Sequence, residues 1–119
     1  MSYKNLEIWQ LAREIALQVH QMTLEDLPSF EMYETGQQIR RSAKSYRSTI
    51  VEGYGRKRYQ NEYFKFLVYS LGSNDETIDH LEELWETGSL KNKQRYDSIH
   101  TRCDLLGKKL TSFLKKFER

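Results

Sequence analysis

Apolar residues recur at alternating spacings of three and four through four successive stretches of this 119-residue chain. That period is the signature of amphipathic helices and leaves little room for anything else. In the first stretch Ile8, Ala12, Ile15, Val19 and Met22 form the stripe, with Trp9 and Ala16 on its flank. It stops before Leu27-Pro28, because a residue preceding proline avoids helical geometry. In the second, Ile39, Ala43, Tyr46 and Ile50 form the stripe and Gly53-Tyr54-Gly55 ends it. A parallel row of small residues, Ser42, Ser45 and Thr49, would let a neighbouring helix come close. The third stripe is Phe64, Leu67, Leu71, Asn74, Ile78, Leu81 and Trp85, interrupted only by Asn74. Gly72 beside Ser73 reads as a point of close backbone contact, since glycine inside a helix otherwise costs about 1 kcal/mol against alanine. The fourth stripe is Tyr96, Ile99, Cys103, Leu106, Leu110, Phe113 and Phe117, with Gly88 capping the third helix and Ser89 or Asn92 opening the fourth.

The spacing predicts helices over about 6–23, 34–52, 61–87 and 92–117, and no strand, since period-two alternation is nowhere sustained. Four such helices with short joints predict an all-α fold, an antiparallel up-down-up-down four-helix bundle forming a single domain over 1–119. One proline and six glycines in the whole chain suit long helices. The longest apolar runs are too short to cross a bilayer. The opening Met1-Ser2-Tyr3-Lys4-Asn5-Leu6-Glu7 has no apolar signal core, so the expected setting is cytoplasmic, with no membrane partner. Cys103 is the only cysteine. It cannot form an internal disulfide and reads as a small buried hydrophobe.

The overall charge of +2 hides a strong segregation. From residue 40 to 58, seven basic residues (Arg40, Arg41, Lys44, Arg47, Arg56, Lys57 and Arg58) face one acid, Glu52, a net of +6. From 59 to 90, Lys65 alone opposes seven acids, a net of −6; from 92 to 119, eight basic residues against three acidic give +5. Two readings follow. Basic helices can pair with acidic neighbours and set the order of the bundle or its subunit contacts. Alternatively a basic surface attracts phosphates, RNA or DNA. For the second reading the candidate nucleic-acid-binding residues are Arg40, Lys44 and Arg47, which share a helix face, and Arg56, Lys57 and Arg58 in the glycine-flexed joint. Tyr54 and Tyr59 flank that joint and could stack on unpaired bases. Arg41, Glu52 and Glu76 are candidates for an interhelical ion network, since half-buried charges need partners. Asn74, at a seam position, is a candidate for fixing register.

Enzymatic chemistry finds no support in the sequence. Di-metal bundle sites need Glu-x-x-His on two helices, and none is present. His20, His80 and His100 are isolated, with Glu76 and His80 the best local pair; no catalytic residue, metal site, cofactor or small-molecule substrate is indicated. There is no phosphate loop and no Cys-x-x-Cys.

Several strings carry a family likeness. Leu6-Glu7-Ile8-Trp9-Gln10-Leu11-Ala12, then Gln38-Ile39-Arg40-Arg41-Ser42-Ala43-Lys44-Ser45 and Ile50-Val51-Glu52-Gly53-Tyr54-Gly55-Arg56, then Phe66-Leu67 with Gly72-Ser73 and Glu76, resemble the bacterial four-helix-bundle family of 23S ribosomal RNA intervening sequences. The chain departs from its pattern at Tyr46, Thr49 and Asn74. The resemblance implies a ring-like homo-oligomer, often a pentamer. It also implies kinship with accessory bundle proteins of diversity-generating retroelements, which accompany reverse transcriptases and bind nucleic acid. A structural or protein-interaction bundle without a nucleic-acid role is the alternative.

Overall fold

Four long helices account for most of the chain: α1 (Glu7–Glu25), α2 (Thr35–Gly55), α3 (Gln60–Glu86) and α4 (Lys93–Lys115). The structure is a computed structural model and describes residues 2–118. It is an all-α four-helix bundle, with no strand among the described residues. Each helix boundary falls within three residues of the one read from spacing. The largest differences are at the end of α2, which runs on through Gly53 and Tyr54 to Gly55, and at the end of α1 and α4. Two short 3-10 turns, Tyr3–Asn5 and Ser29–Tyr33, precede α1 and α2.

Side-chain pairs between the helices set their directions. Between α2 and α3, Thr35 meets Glu83, Ser42 meets Thr77, Thr49 meets Ser70, and Arg56 meets Glu62. Early residues of one helix thus face late residues of the next. Between α1 and α4, Glu7 meets Lys109, Glu14 meets Arg102 and Glu25 meets Arg95. Between α3 and α4, Trp85 stacks on Tyr96 at 4.9 Å and Phe64 lies edge-on to Phe117 at 5.9 Å. Each of these neighbours is therefore antiparallel. The rod measures 45 × 21 × 20 Å.

The core holds Ile8, Ala12, Ile15, Val19 and Met22 of α1, Ile39, Ala43, Tyr46 and Ile50 of α2, and Ile99, Cys103, Leu106 and Leu110 of α4, as the spacing predicts. In α4 the expected Tyr96, Phe113 and Phe117 are half-buried and Leu114 is buried instead. The third helix departs further. Its buried row is Tyr63, Leu67, Ser70, Asn74, Thr77, Leu81 and Leu84, whereas Phe64, Leu71 and Ile78 are half-buried and Trp85 is 37% exposed. The seam keeps the heptad period but is rotated by one residue at alternate positions. The reason is polar. Ser70 and Thr77 turn inward because α2 offers them partners: Ser42 Oγ lies 2.7 Å from Thr77 Oγ1, Thr49 Oγ1 2.6 Å from Ser70 Oγ, and, at the edge, Ser45 Oγ 3.3 Å from Ser73 Oγ. The expected small-residue row of α2 does bring a helix close, and hydroxyls satisfy one another across it. Each such bond is worth about 0.5–1.5 kcal/mol net.

Gly72 does not mark a close approach. It is exposed, with nothing within 4 Å of where a Cβ would stand. The tight approaches are at Gly53, where a Cβ would come 3.0 Å from Phe66 Cβ, and at Gly107, where it would come 3.3 Å from Asn74 Nδ2. Gly88, at φ +80°, turns the chain after α3 so that Leu90 N–H returns to the Leu84 carbonyl at 2.9 Å. Asn92, not Ser89, caps α4, its Oδ1 accepting from Arg95 N–H at 3.1 Å. Ser89 is used elsewhere: it donates to Glu31 Oε2 at 2.7 Å, while Glu31 Oε1 accepts from Gly36 N–H at 3.2 Å. Glu31 is only 5% exposed.

Candidate nucleic-acid interface

Antiparallel packing sorts the charges by end. The end formed by residues 2–10, 50–66 and 107–118 holds nine basic residues against four acidic ones. The end formed by residues 20–40 and 78–98 holds nine acidic residues against four basic ones. The basic end gathers the start of α1, the α2–α3 joint and the tail of α4. Of the candidate residues named above, Tyr54, Arg56, Lys57, Arg58 and Tyr59 lie at this end, all of them at the joint.

Not all of those cations are available. Arg56 sits between Glu52 and Glu62, 3.2 Å from each, with its guanidinium 5.0 Å from the centre of the Phe66 ring. Lys65 also pairs with Glu62 at 3.0 Å, and Lys65 with Arg56 holds that carboxyl below its ordinary value. Lys109 pairs with Glu7 at 2.7 Å. Lys4, Lys57, Arg58, Lys108, Lys115 and Lys116 are exposed and make no ion pair among the described residues. A cleft of about 460 Å³ between the start of α1 and the end of α4 is lined by Lys108, Lys109 and Lys116 around Leu6, Ile8 and Phe113.

The candidate residues of α2 do not form one patch. Arg40 belongs to the acidic end, about 24 Å along the helix from Arg56 at 1.5 Å per residue. It is half-buried and donates to the Met32 carbonyl at 2.8 Å. Lys44 and Arg47 line a separate cleft beside α1. Lys57 and Arg58 lie at the joint. The tyrosines divide as well. Tyr59 is 63% exposed. Tyr54 is half-buried, edge-on to Tyr63 at 6.5 Å and covered by Lys57 Nζ at 3.8 Å, so its ring is already occupied. Burial, and then the neighbouring Tyr54, push the Tyr63 phenol up to about 12.

The ion network read from the sequence has other members. Glu52 pairs with Arg56, Glu76 lies 3.7 Å from His80, and Arg41 is exposed and makes no ion pair among the described residues. The rotation of α3 that turns Ser70 and Thr77 inward leaves Glu76 exposed. The structured cluster is on α3 and α4 instead: His100 Nε2 lies 2.8 Å from Glu82 Oε2 and its Nδ1 3.2 Å from Asp104 Oδ2, against Tyr96 at 5.4 Å. The hydrogen bond to Glu82 raises the imidazole pKa; desolvation opposes it, and the charges of Asp104 and Glu82 add to the rise. Both ring nitrogens are taken up by carboxylates, and no group of three His, Cys, Asp or Glu among the described residues is placed to hold a metal ion. Cys103 is buried as expected, and burial pushes its thiol up to about 12, which removes it as a nucleophile at neutral pH.

Residues 4–112 match the family described as 23S rRNA-intervening sequence protein. The chain belongs to that family. The likeness to that family thus covers nearly the whole chain, through most of α4. A solved structure of similar fold is a protein of unknown function from the S23 ribosomal protein family of Bacteroides thetaiotaomicron VPI-5482. It superposes with a TM-score of 0.77 at 23% identity, over 91% of this chain and 98% of that one. That likeness is one of fold. None of the curated proteins matches the chain. Among the described residues no helix is long and apolar enough to cross a membrane.

Proposed function

We propose that this family member is a non-enzymatic, homo-oligomeric bundle that binds RNA or DNA through its basic end. The observation that carries the reading is the convergence there of Lys4, Lys57, Arg58, Lys108, Lys115 and Lys116, exposed and without carboxylate partners among the described residues. Lysines and arginines held on one surface gain affinity for a phosphate backbone by releasing its counterions. Tyr59, beside Arg58, adds an exposed ring on which an unpaired base can stack. The apolar surface favours self-association: Leu17, Leu24, Phe30, Tyr33, Tyr69 and Leu105 are each more than 40% exposed. A ring would repeat the basic end around its axis and add avidity to weak contacts. A pentamer is the ring size the family suggests. The cytoplasm is the setting we assign, where a lone buried thiol such as Cys103 stays reduced.

The test is a salt titration of labelled single-stranded and duplex RNA and DNA, followed by anisotropy, with light scattering for mass. Wild-type affinity is expected to fall steeply with salt, and Lys57→Glu/Arg58→Glu and Lys115→Glu/Lys116→Glu each to weaken binding without changing helicity or mass. Arg56 is left intact because glutamate there would face Glu52 and Glu62. No binding at low salt, or equal binding by the variants, overturns the nucleic-acid reading in favour of a structural or protein-interaction bundle. A monomer mass at micromolar concentration overturns the oligomer.

A further inference from the structure

We propose that the cleft between the start of α1 and the second half of α2 is a pocket for one nucleotide unit, a phosphate carrying an aromatic base. The proposal deepens the nucleic-acid reading by giving it a site beside the basic end, reaching from it toward the middle of α2. It can also stand apart, because a free mononucleotide has the same chemistry as a nucleotide within a single strand.

The cleft has a volume of about 400 Å³, within the roughly 300–1,000 Å³ of small-molecule sites. Its cations are Lys44 and Arg47. Neither makes an ion pair among the described residues. The one carboxylate in the lining, Glu52, is held by Arg56 at 3.2 Å. Two positive charges thus border a concavity whose only acid is engaged elsewhere, an arrangement that takes an anion.

The opposite wall is aromatic. Tyr3 is fixed by the turn that Ser2 caps, and its ring stands edge-on to Trp9 at 5.2 Å. The Arg47 guanidinium lies 5.5 Å from the Trp9 ring centre, which orients it beside the indole. Trp9 is 8% exposed, and its buried Nε1–H has no acceptor among the described residues. Ser48 donates its own proton to the Ser45 carbonyl at 2.9 Å and so presents an acceptor to whatever enters. Cations for a phosphate, a hydroxyl acceptor for a polar edge and a tyrosine ring for stacking are groups by which proteins hold an unpaired nucleotide. A bare phosphate would use the cations alone, and an acidic peptide would leave the aromatic wall unused.

The experiment uses Trp85→Phe, so that Trp9 is the sole indole. Its emission is followed on addition of AMP, of inorganic phosphate, and of a single-stranded oligonucleotide, with anisotropy of a labelled strand measured in parallel. AMP is expected to change Trp9 emission saturably and phosphate far less. Lys44→Gln/Arg47→Gln should weaken AMP by about tenfold or more, and Tyr3→Ala should weaken AMP but not phosphate, with helicity unchanged. Lys44 is exposed, so Lys44→Gln alone serves if the double variant is poorly folded. Phosphate acting as strongly as AMP overturns the nucleotide assignment. So does an indole that responds to neither AMP nor strand while the strand still binds by anisotropy; the basic end then stands without this pocket. An indole that responds to AMP when no strand binds upholds the pocket and overturns the nucleic-acid reading.

Discussion

The side-chain amide of Asn74 donates to the backbone carbonyl of Cys103 at 2.9 Å, across the contact of α3 with α4. Asn74 is fully buried, and its Nδ2 lies under Gly107, where a Cβ would come within 3.3 Å. The bond selects which residue of α4 stands opposite the middle of α3. Replacing Asn74 by Ala is expected to cost about 1–3 kcal/mol, the range for losing a buried hydrogen bond. Asn74→Asp should cost more, since it sets a carboxylate against a carbonyl in the core. Urea unfolding midpoints give the order, and an aspartate variant as stable as the alanine one would refute it.

The rotated seam of α3 makes its own prediction. Leu84 is fully buried and Val68 is 41% exposed. Leu84→Ala should therefore cost about 2–5 kcal/mol, like Leu67→Ala and Leu106→Ala. Val68→Ala should stay within about 0.5 kcal/mol, as surface changes do. Thermal or chemical denaturation of the four variants would show the pattern.

Glu31 joins the α2 N-terminus to the α3–α4 connection through Gly36 N–H and Ser89 Oγ. Glu31→Ala removes both bonds at a buried position, and a loss of about 1–3 kcal/mol is expected. Amide exchange should quicken first at Gly36 and its neighbours, and unchanged protection there would show that the carboxylate holds nothing.

His100 gives the bundle a pH dependence of known sign. Its pKa is raised in the folded chain by Glu82 and Asp104. Its contribution to stability is therefore fully present below the unfolded-state value of about 6.5 and fades as pH rises through the folded value above it. The wild type minus His100→Gln difference in unfolding free energy should shrink between about pH 5.5 and about pH 8.5. A difference that grows over that window would reverse the assignment.

The legible part of this fold was whatever hydrophobicity encodes. The stripes of α1, α2 and α4 are apolar along their buried rows, so Ile15, Ile39 and Leu106 announce their burial. On α3 the rule fails at Ser70 and Thr77, which are buried because Thr49 and Ser42 wait for them on another helix. No window on α3 contains that information, and Phe64 and Trp85 are the more hydrophobic choices. The sites follow the same division. Lysine and arginine runs show in the chain, but which of them keep their charge for a partner depends on acids such as Glu62, near only after folding. Tyr3 and Trp9 were the hardest to foresee. They stand beside Lys44 and Arg47 only because α1 and α2 pack together, whereas Tyr54, adjacent in sequence to the basic joint, has its ring already covered.

The sorting of charge by end has a mechanical side. A 45 Å rod that is positive at one end and negative at the other is an electric dipole directed along its own axis. In the field of a polyanion such a body feels a torque before it touches anything. It turns its α2–α3 joint inward and its α3–α4 connection outward. Encounters would arrive already aligned, and added salt would remove the alignment along with the attraction.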